Sequence, residues 1–176
     1  MKRIYLVRHC SATGQVAEAE LTESGYNQAN MLASFFKNIV IDHIISSPFT
    51  RAQQSITPTV RTKNLSLIID NRLAERTLST SDLPNWLELL EETFTNFDLK
   101  LTGGESSREA TLRAIEVVNE APDNSILVTH GNLMSLILKH FDDSLGFSEW
   151  KSLSNPDIYK ITLINNENTI KHLWNN

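Results

Sequence analysis

Short apolar runs alternate with longer segments of helical period along this chain. The runs are Ile4–Val7, Ile44-Ile45, Leu67–Ile69 and Ile126–Val128. They are nearly continuous and rich in β-branched residues, as strands buried on both faces should be. Between them, Thr22 to about Asn38 sets Ala29, Leu32, Ala33 and Phe36 on one helical stripe. Ser47-Pro48 reads as an N-cap followed by proline at the first helical position, opening a helix to about Val60. Pro84 opens another, with Trp86, Leu87, Leu89 and Leu90. Ser106 and Glu109 have the spacing of a capping box for a helix reaching about Glu120. The last long helix is predicted from His130 to about Phe141. Ile158–Ile164 then alternates apolar and polar positions, and Ile170–Trp174 is placed to return beside it across NNEN as an antiparallel hairpin. Strands alternating with helices predict an α/β fold: a three-layer α/β/α sandwich with a mostly parallel central sheet and the hairpin at its edge.

Composition narrows this picture. The 176 residues suit one domain spanning 1–176, large enough to bury its own core. A net charge of −5 with no basic stripe argues against nucleic acid as a partner, so an anionic ligand must be drawn by a local positive pocket. Cys10 is the only cysteine, so no internal disulfide forms. That fits a reducing compartment, and a cytoplasmic location is the expectation. The apolar run after Lys2 and Arg3 is too short for a signal peptide or a membrane span. The oligomeric state is left open.

Ligands of open α/β sheets bind beyond the carboxyl ends of the strands. The first run ends in Arg8-His9. The second leads through Ser46-Ser47 to a helix whose first turn holds Arg51. The third is followed by Asn71, Arg72 and Glu75, and the fourth by His130 and Gly131. Two guanidiniums and two imidazoles offer the donors a tetrahedral dianion needs, and a helix start near Arg51 adds free N–H groups. A phosphate monoester fits best. No G-x-x-x-x-G-K-[ST] segment is present, so this is not a P-loop site. Cys10 does not open a tyrosine-phosphatase loop either, because Val16 stands where the arginine would be.

LVRHC, SSPFTRAQQS, LAER, GGES and VTHGN, in that order, resemble the motifs of the histidine phosphatase superfamily, which includes the phosphoglycerate mutases. LTESGYNQA also resembles the segment after its first motif. The resemblance implies that His9 is a nucleophile forming a phosphohistidine and that Arg8, Arg51 and His130 bind phosphoryl oxygens. It makes Glu75 the proton donor to the leaving oxygen, and it implies no metal and no cofactor. Gln15 stands where many members carry an asparagine that touches phosphate, and Gly131 follows the second histidine. The implied partner is a small phosphorylated metabolite.

The chain departs from that pattern in places. Cys10 replaces a usual glycine, and Ser11-Ala12 replaces an acidic-threonine pair. Cys10 reads as a small buried residue, with an oxidation-sensitive thiol as the rival reading. Thr13 is a second candidate for a hydroxyl contact. Glu75 could instead pair with Arg72 or Arg76, and its rival as acid is Glu105, read here as a pre-helix anion complementing the dipole. His43, His140 and His172 read as structural or surface residues. Trp86–Phe97 is the candidate lid, with Trp86 and Phe94 as its aromatics or as core. Cations beside His9 should lower its pKa and leave it neutral for attack. The short segment between Glu75 and Gly103 favours a phosphomonoesterase over a mutase. The same residues would also serve a phosphohistidine protein phosphatase or a non-catalytic phosphate-binding regulatory module.

Overall fold

The computed structural model describes residues 1–165 and 167–174. Six strands form one sheet: β1 (Lys2–Arg8), β2 (His43–Ser46), β3 (Leu67–Ile69), β4 (Ser125–Thr129), β5 (Asp157–Ile164) and β6 (Glu167–His172). Their order is β3-β2-β4-β1-β5-β6. Pairings among β1 to β4 are parallel, while β1–β5 and β5–β6 are antiparallel. The helices are α1 (Glu23–Phe36), α2 (Thr50–Lys63), α3 (Trp86–Glu92), α4 (Ser107–Glu120), α5 (Gly131–Phe141) and α6 (Phe147–Ser152).

Strand alternation explains the continuous apolar runs. Ile4 and Leu6 of β1, Ile45 and Leu127 face a core built with α4 and α5. Tyr5, Val7, Ile44, Ile126 and Val128 face a second core built with Ala29, Leu32 and Phe36 of α1 and Ala52 and Ile56 of α2. Each central strand therefore needs apolar side chains at consecutive positions, because it has no solvent face. This is the expected three-layer α/β/α arrangement with its antiparallel C-terminal hairpin.

The edges depart from the expectation. Ile68 and Ile69 of β3 are 50% and 44% exposed, because β3 lies at the end of the sheet. The strand β6 begins at Glu167, three residues before the apolar pattern predicts, since its exposed face carries no apolar signal. Asn166, in the predicted turn, lies outside the described residues. Thr22 caps α1 by accepting the Gly25 N–H at 3.0 Å, so that helix starts one residue after the expected threonine. Gly25 is required here, since a Cβ would lie 2.1 Å from the Ser11 carbonyl oxygen. The capping box at Ser106 and Glu109 forms as predicted.

The short helix α6 and a 3-10 turn at Asn71–Leu73 have no counterpart in the apolar pattern. No helix among the described residues is long and apolar enough to cross a membrane.

Candidate active site

The strands β1 and β4 are adjacent and parallel, with Arg8 in register with Thr129. The chain leaves β1 towards the α1 layer and leaves β4 into α5 in the opposite layer, so a crevice opens at their carboxyl ends. His9 and His130 are the residues just past those ends, and their ring centroids are 5.0 Å apart. Two segments more than a hundred positions apart therefore deliver one imidazole pair.

The tautomer of His9 follows from its partners. Its Nδ1 lies 2.7 Å from the Cys10 carbonyl oxygen, which can only accept, so Nδ1 carries the proton. The Nε2 lone pair accepts the Arg51 Nε–H at 3.2 Å. Burial above all, with Arg51 and Arg8 adding to it and the Cys10 hydrogen bond opposing it, lowers the His9 pKa to about 4. The neighbouring cations thus act as expected, but desolvation is the larger cause. At neutral pH His9 presents an uncharged, fixed nitrogen. His130 is also held neutral, first by burial and then by His9 and the surrounding arginines.

The helix start after β2 differs from the expected form. Phe49, not Ser47, is the N-cap of α2. Ser47 Oγ lies 2.7 Å from His130 Nε2 and accepts the Phe49 N–H at 3.2 Å. When the hydroxyl donates to Nε2, the His130 proton sits on Nδ1, which is buried and has no other partner among the described residues. Serine therefore orients a histidine, and the helix begins once that bond is made.

Arg51, in the first turn of α2, is 1% exposed. Besides His9, it donates to the Gln15 and Val16 carbonyl oxygens, and its guanidinium lies 4.9 Å from the centre of the Phe49 ring. Gln15 thus reaches the site through its backbone, while its side chain is exposed at the cavity edge. Thr13 turns away, donating to the Glu20 carbonyl oxygen. Arg8 donates through Nη1 to the carbonyl oxygens of Leu153 and Ser154, and its Nε is buried without a partner among the described residues. Gly131 lets that guanidinium lie against the start of α5, where a Cβ would stand 3.1 Å from Arg8 Cζ.

Glu75 pairs with neither Arg72 nor the Arg76 side chain. Its carboxylate accepts N–H bonds from Asn132 and Leu133, both at 3.0 Å, and from the Arg76 backbone at 2.8 Å. It therefore caps α5 at the cavity wall. Glu105, the rival acid, is held by Arg113 through two 2.7 Å bonds and does not line the cavity.

The cavity has a volume of about 620 Å³. Its lining includes Arg8, His9, Gln15, Glu75 and Gly131 together with the apolar Leu78, Trp86, Leu90 and Trp150. Trp86 and Trp150 meet with their ring centroids 6.4 Å apart and both line the cavity, whereas Phe94 packs against Phe147 in the core. Sequence reasoning missed Arg76, Asn132, Trp150 and Asn155 as lining residues. Asn155 donates to the His9 carbonyl oxygen at 2.8 Å, steadying the strand end, and no local motif announces it. Cys10 is fully buried, and desolvation pushes its thiol up to about 12, as befits a packing residue. Among the described residues, no group of three or more His, Cys, Asp or Glu side chains is placed to hold a metal ion.

Comparison with known proteins identifies the family and the fold. The chain is 28% identical over 173 residues to the probable phosphoglycerate mutase GpmB of Shigella dysenteriae, covering 85% of this chain and 78% of that protein. Its fold matches mycobacterial hydrolase 1 with a TM-score of 0.76 at 20% identity, covering 99% and 98% of the two chains. It also matches a phosphoserine phosphatase of Entamoeba histolytica, solved with 3-phosphoglyceric acid, with a TM-score of 0.76 at 17% identity over 99% and 98%. The model of the histidine phosphatase superfamily, branch 1, matches residues 4–176, and the chain belongs to that family.

Proposed function

We propose that this protein is a metal-independent phosphomonoesterase that hydrolyses a small phosphorylated substrate through a phosphohistidine on His9. One observation carries the reading. The His9 Nε2 lone pair is fixed by the Nδ1–H bond to Cys10 and sits against the Arg51 guanidinium. An imidazole held neutral at neutral pH within a cationic pocket is what attack on a phosphate dianion requires.

In the proposed reaction, the Arg51 Nε–H moves from the His9 lone pair to a phosphoryl oxygen as the ligand enters. Arg8 Nε and His130 Nδ1 donate to the others. The Nε2 atom then forms the P–N bond as the P–O bond to the leaving group breaks in line. Once the Arg51 N–H has shifted, the donors surround the phosphoryl oxygens before the bond to phosphorus forms, so the charge that spreads over those oxygens is stabilised as it develops. Glu75 delivers a proton to the leaving oxygen and is left as a carboxylate. It then takes a proton from water as that water attacks phosphorus. The P–N bond breaks, and inorganic phosphate and free His9 remain.

The test is trapping with a labelled phosphomonoester. An acid-labile, alkali-stable phosphoenzyme should form in the wild type and be missing in His9→Ala, and turnover of p-nitrophenyl phosphate should survive EDTA. A phosphoenzyme that persists in His9→Ala would refute the assignment. Mutase activity is the second reading, favoured by the name of the GpmB relatives. Interconversion of 2- and 3-phosphoglycerate faster than release of phosphate would establish it.

A further inference from the structure

Glu105 takes no part in the proposed chemistry, yet it is held more firmly than an anion ahead of a helix needs to be. Its two carboxylate oxygens accept from Nε and Nη2 of Arg113 in a forked, partly buried pair. The third guanidinium nitrogen, Nη1, donates to the carbonyl oxygens of Arg72 and Ala74, on either side of the buried Leu73. All three nitrogens are thus committed, and neither Arg113 nor Glu105 lines the cavity. Ala74 immediately precedes Glu75.

The residues after Glu75 are tied to the same place. Arg76 Nε donates to the Glu105 carbonyl oxygen at 3.1 Å, and the Glu105 N–H donates to the Thr77 carbonyl oxygen at 2.9 Å. Glu105 therefore grips the main chain on both sides of the acid, through Arg113 before it and through its own backbone after it. Between the two Arg113 contacts, the Leu73 carbonyl oxygen accepts from Thr129 Oγ1 at 2.9 Å. Thr129 ends β4, one residue before His130, so the gripped segment is also fixed to the strand that delivers the second histidine.

A proton donor needs such a grip. Three N–H groups hold the Glu75 carboxylate, but a carboxyl oxygen that carries a proton accepts hydrogen bonds less well. When Glu75 carries the proton for the leaving oxygen, its own bonds hold it less firmly and the backbone must keep it in place. A displacement of about 1 Å at a reacting group can cost about 10²-fold in rate. We propose that the Arg113–Glu105 pair is a positioning clamp for the general acid, acting on Glu75 through the carbonyl oxygens that flank Leu73. The fork is essential to it, since lysine cannot grip a carboxylate and two carbonyls at once. This inference rests on the reading of Glu75 as proton donor.

The experiment compares kcat/KM for an alkyl phosphate and for p-nitrophenyl phosphate, because only the first leaving group depends strongly on the acid. In Arg113→Gln, kcat/KM should fall about ten- to a hundredfold further for the alkyl ester than for the p-nitrophenyl ester. Arg113→Lys should do the same. Glu105→Gln, which keeps one oxygen as acceptor and perturbs the fold least, should shift the ratio in the same direction by less. A smaller folded fraction lowers both esters alike and leaves the ratio unmoved, as would a change felt only through His130. An unchanged ratio in Arg113→Gln and Glu105→Gln, with a changed one in Glu75→Gln, would overturn the clamp and leave the proton donor standing. An unchanged ratio in Glu75→Gln as well would overturn both.

Discussion

Single residues in this site are defined by what their second atom touches. His9 is the clearest case: the Cys10 carbonyl takes the Nδ1 proton and so frees Nε2. The cost of burying that ring appears in its titration. The unfolded chain takes up a proton near pH 6.5, whereas the folded ring refuses it until about pH 4. Stability is therefore complete above about 6.5 and falls as pH drops through that window, by roughly 3 kcal/mol for this residue. Urea unfolding of wild type and His9→Asn between pH 7 and 4.5 should show a shallower loss in the variant, with part of the slope remaining because of His130. Parallel curves would contradict the account. Losing Arg51, which donates to the His9 Nε2 that we propose attacks phosphorus, should lower kcat about 10²–10³-fold in Arg51→Gln, read by steady-state kinetics.

At the scale of elements, the helix α5 joins stability to chemistry. Its N-cap, His130, makes no side-chain cap bond. Glu75, more than fifty residues earlier, supplies the missing acceptors to the Asn132 and Leu133 N–H groups. Glu75→Ala should accordingly cost about 1 kcal/mol of stability in addition to activity. Glu75→Gln separates the two roles in part: its amide oxygen can still accept from Leu133 and Arg76, its NH2 group cannot accept from Asn132, and the side chain cannot deliver the acid's proton. With an alkyl phosphate its kcat should drop about 10²–10⁴-fold, and with p-nitrophenyl phosphate, whose leaving group needs little help, far less. An equal drop with both esters would mean that Glu75 only holds the helix. The same element also explains why Ser47 could not be read correctly. Its N-cap signature is genuine chemistry for a serine before proline, but the hydroxyl is claimed by His130, the residue just past the end of another strand.

Across the whole molecule, β4 lies in the interior of the sheet and feeds both cores, with Leu127 on the α4–α5 side and Ile126 and Val128 on the α1–α2 side. Leu127→Ala should cost about 2–5 kcal/mol. Trp174 packs in the opposite core, yet tryptophan fluorescence and far-UV circular dichroism should still report one coincident transition, because the strand couples the layers. Separate transitions would show that the layers unfold independently, against one domain over 1–176.

Taken by itself, the sequence determined the alternation of strands and helices, the sheet's antiparallel end, and the placing of Arg8, His9, Arg51 and His130 at element termini. These are local matters: hydrophobic period and the residue that follows a run are legible wherever burial acts on both faces of a strand. Tertiary structure alone decided the rest. It exposed β3 as an edge, closed the cavity with Trp150, tied Asn155 to the His9 carbonyl, turned Thr13 away, and left Arg76 buried with a free nitrogen. Each of these depends on which distant segment arrives beside a side chain, and no periodicity along one segment encodes its neighbour.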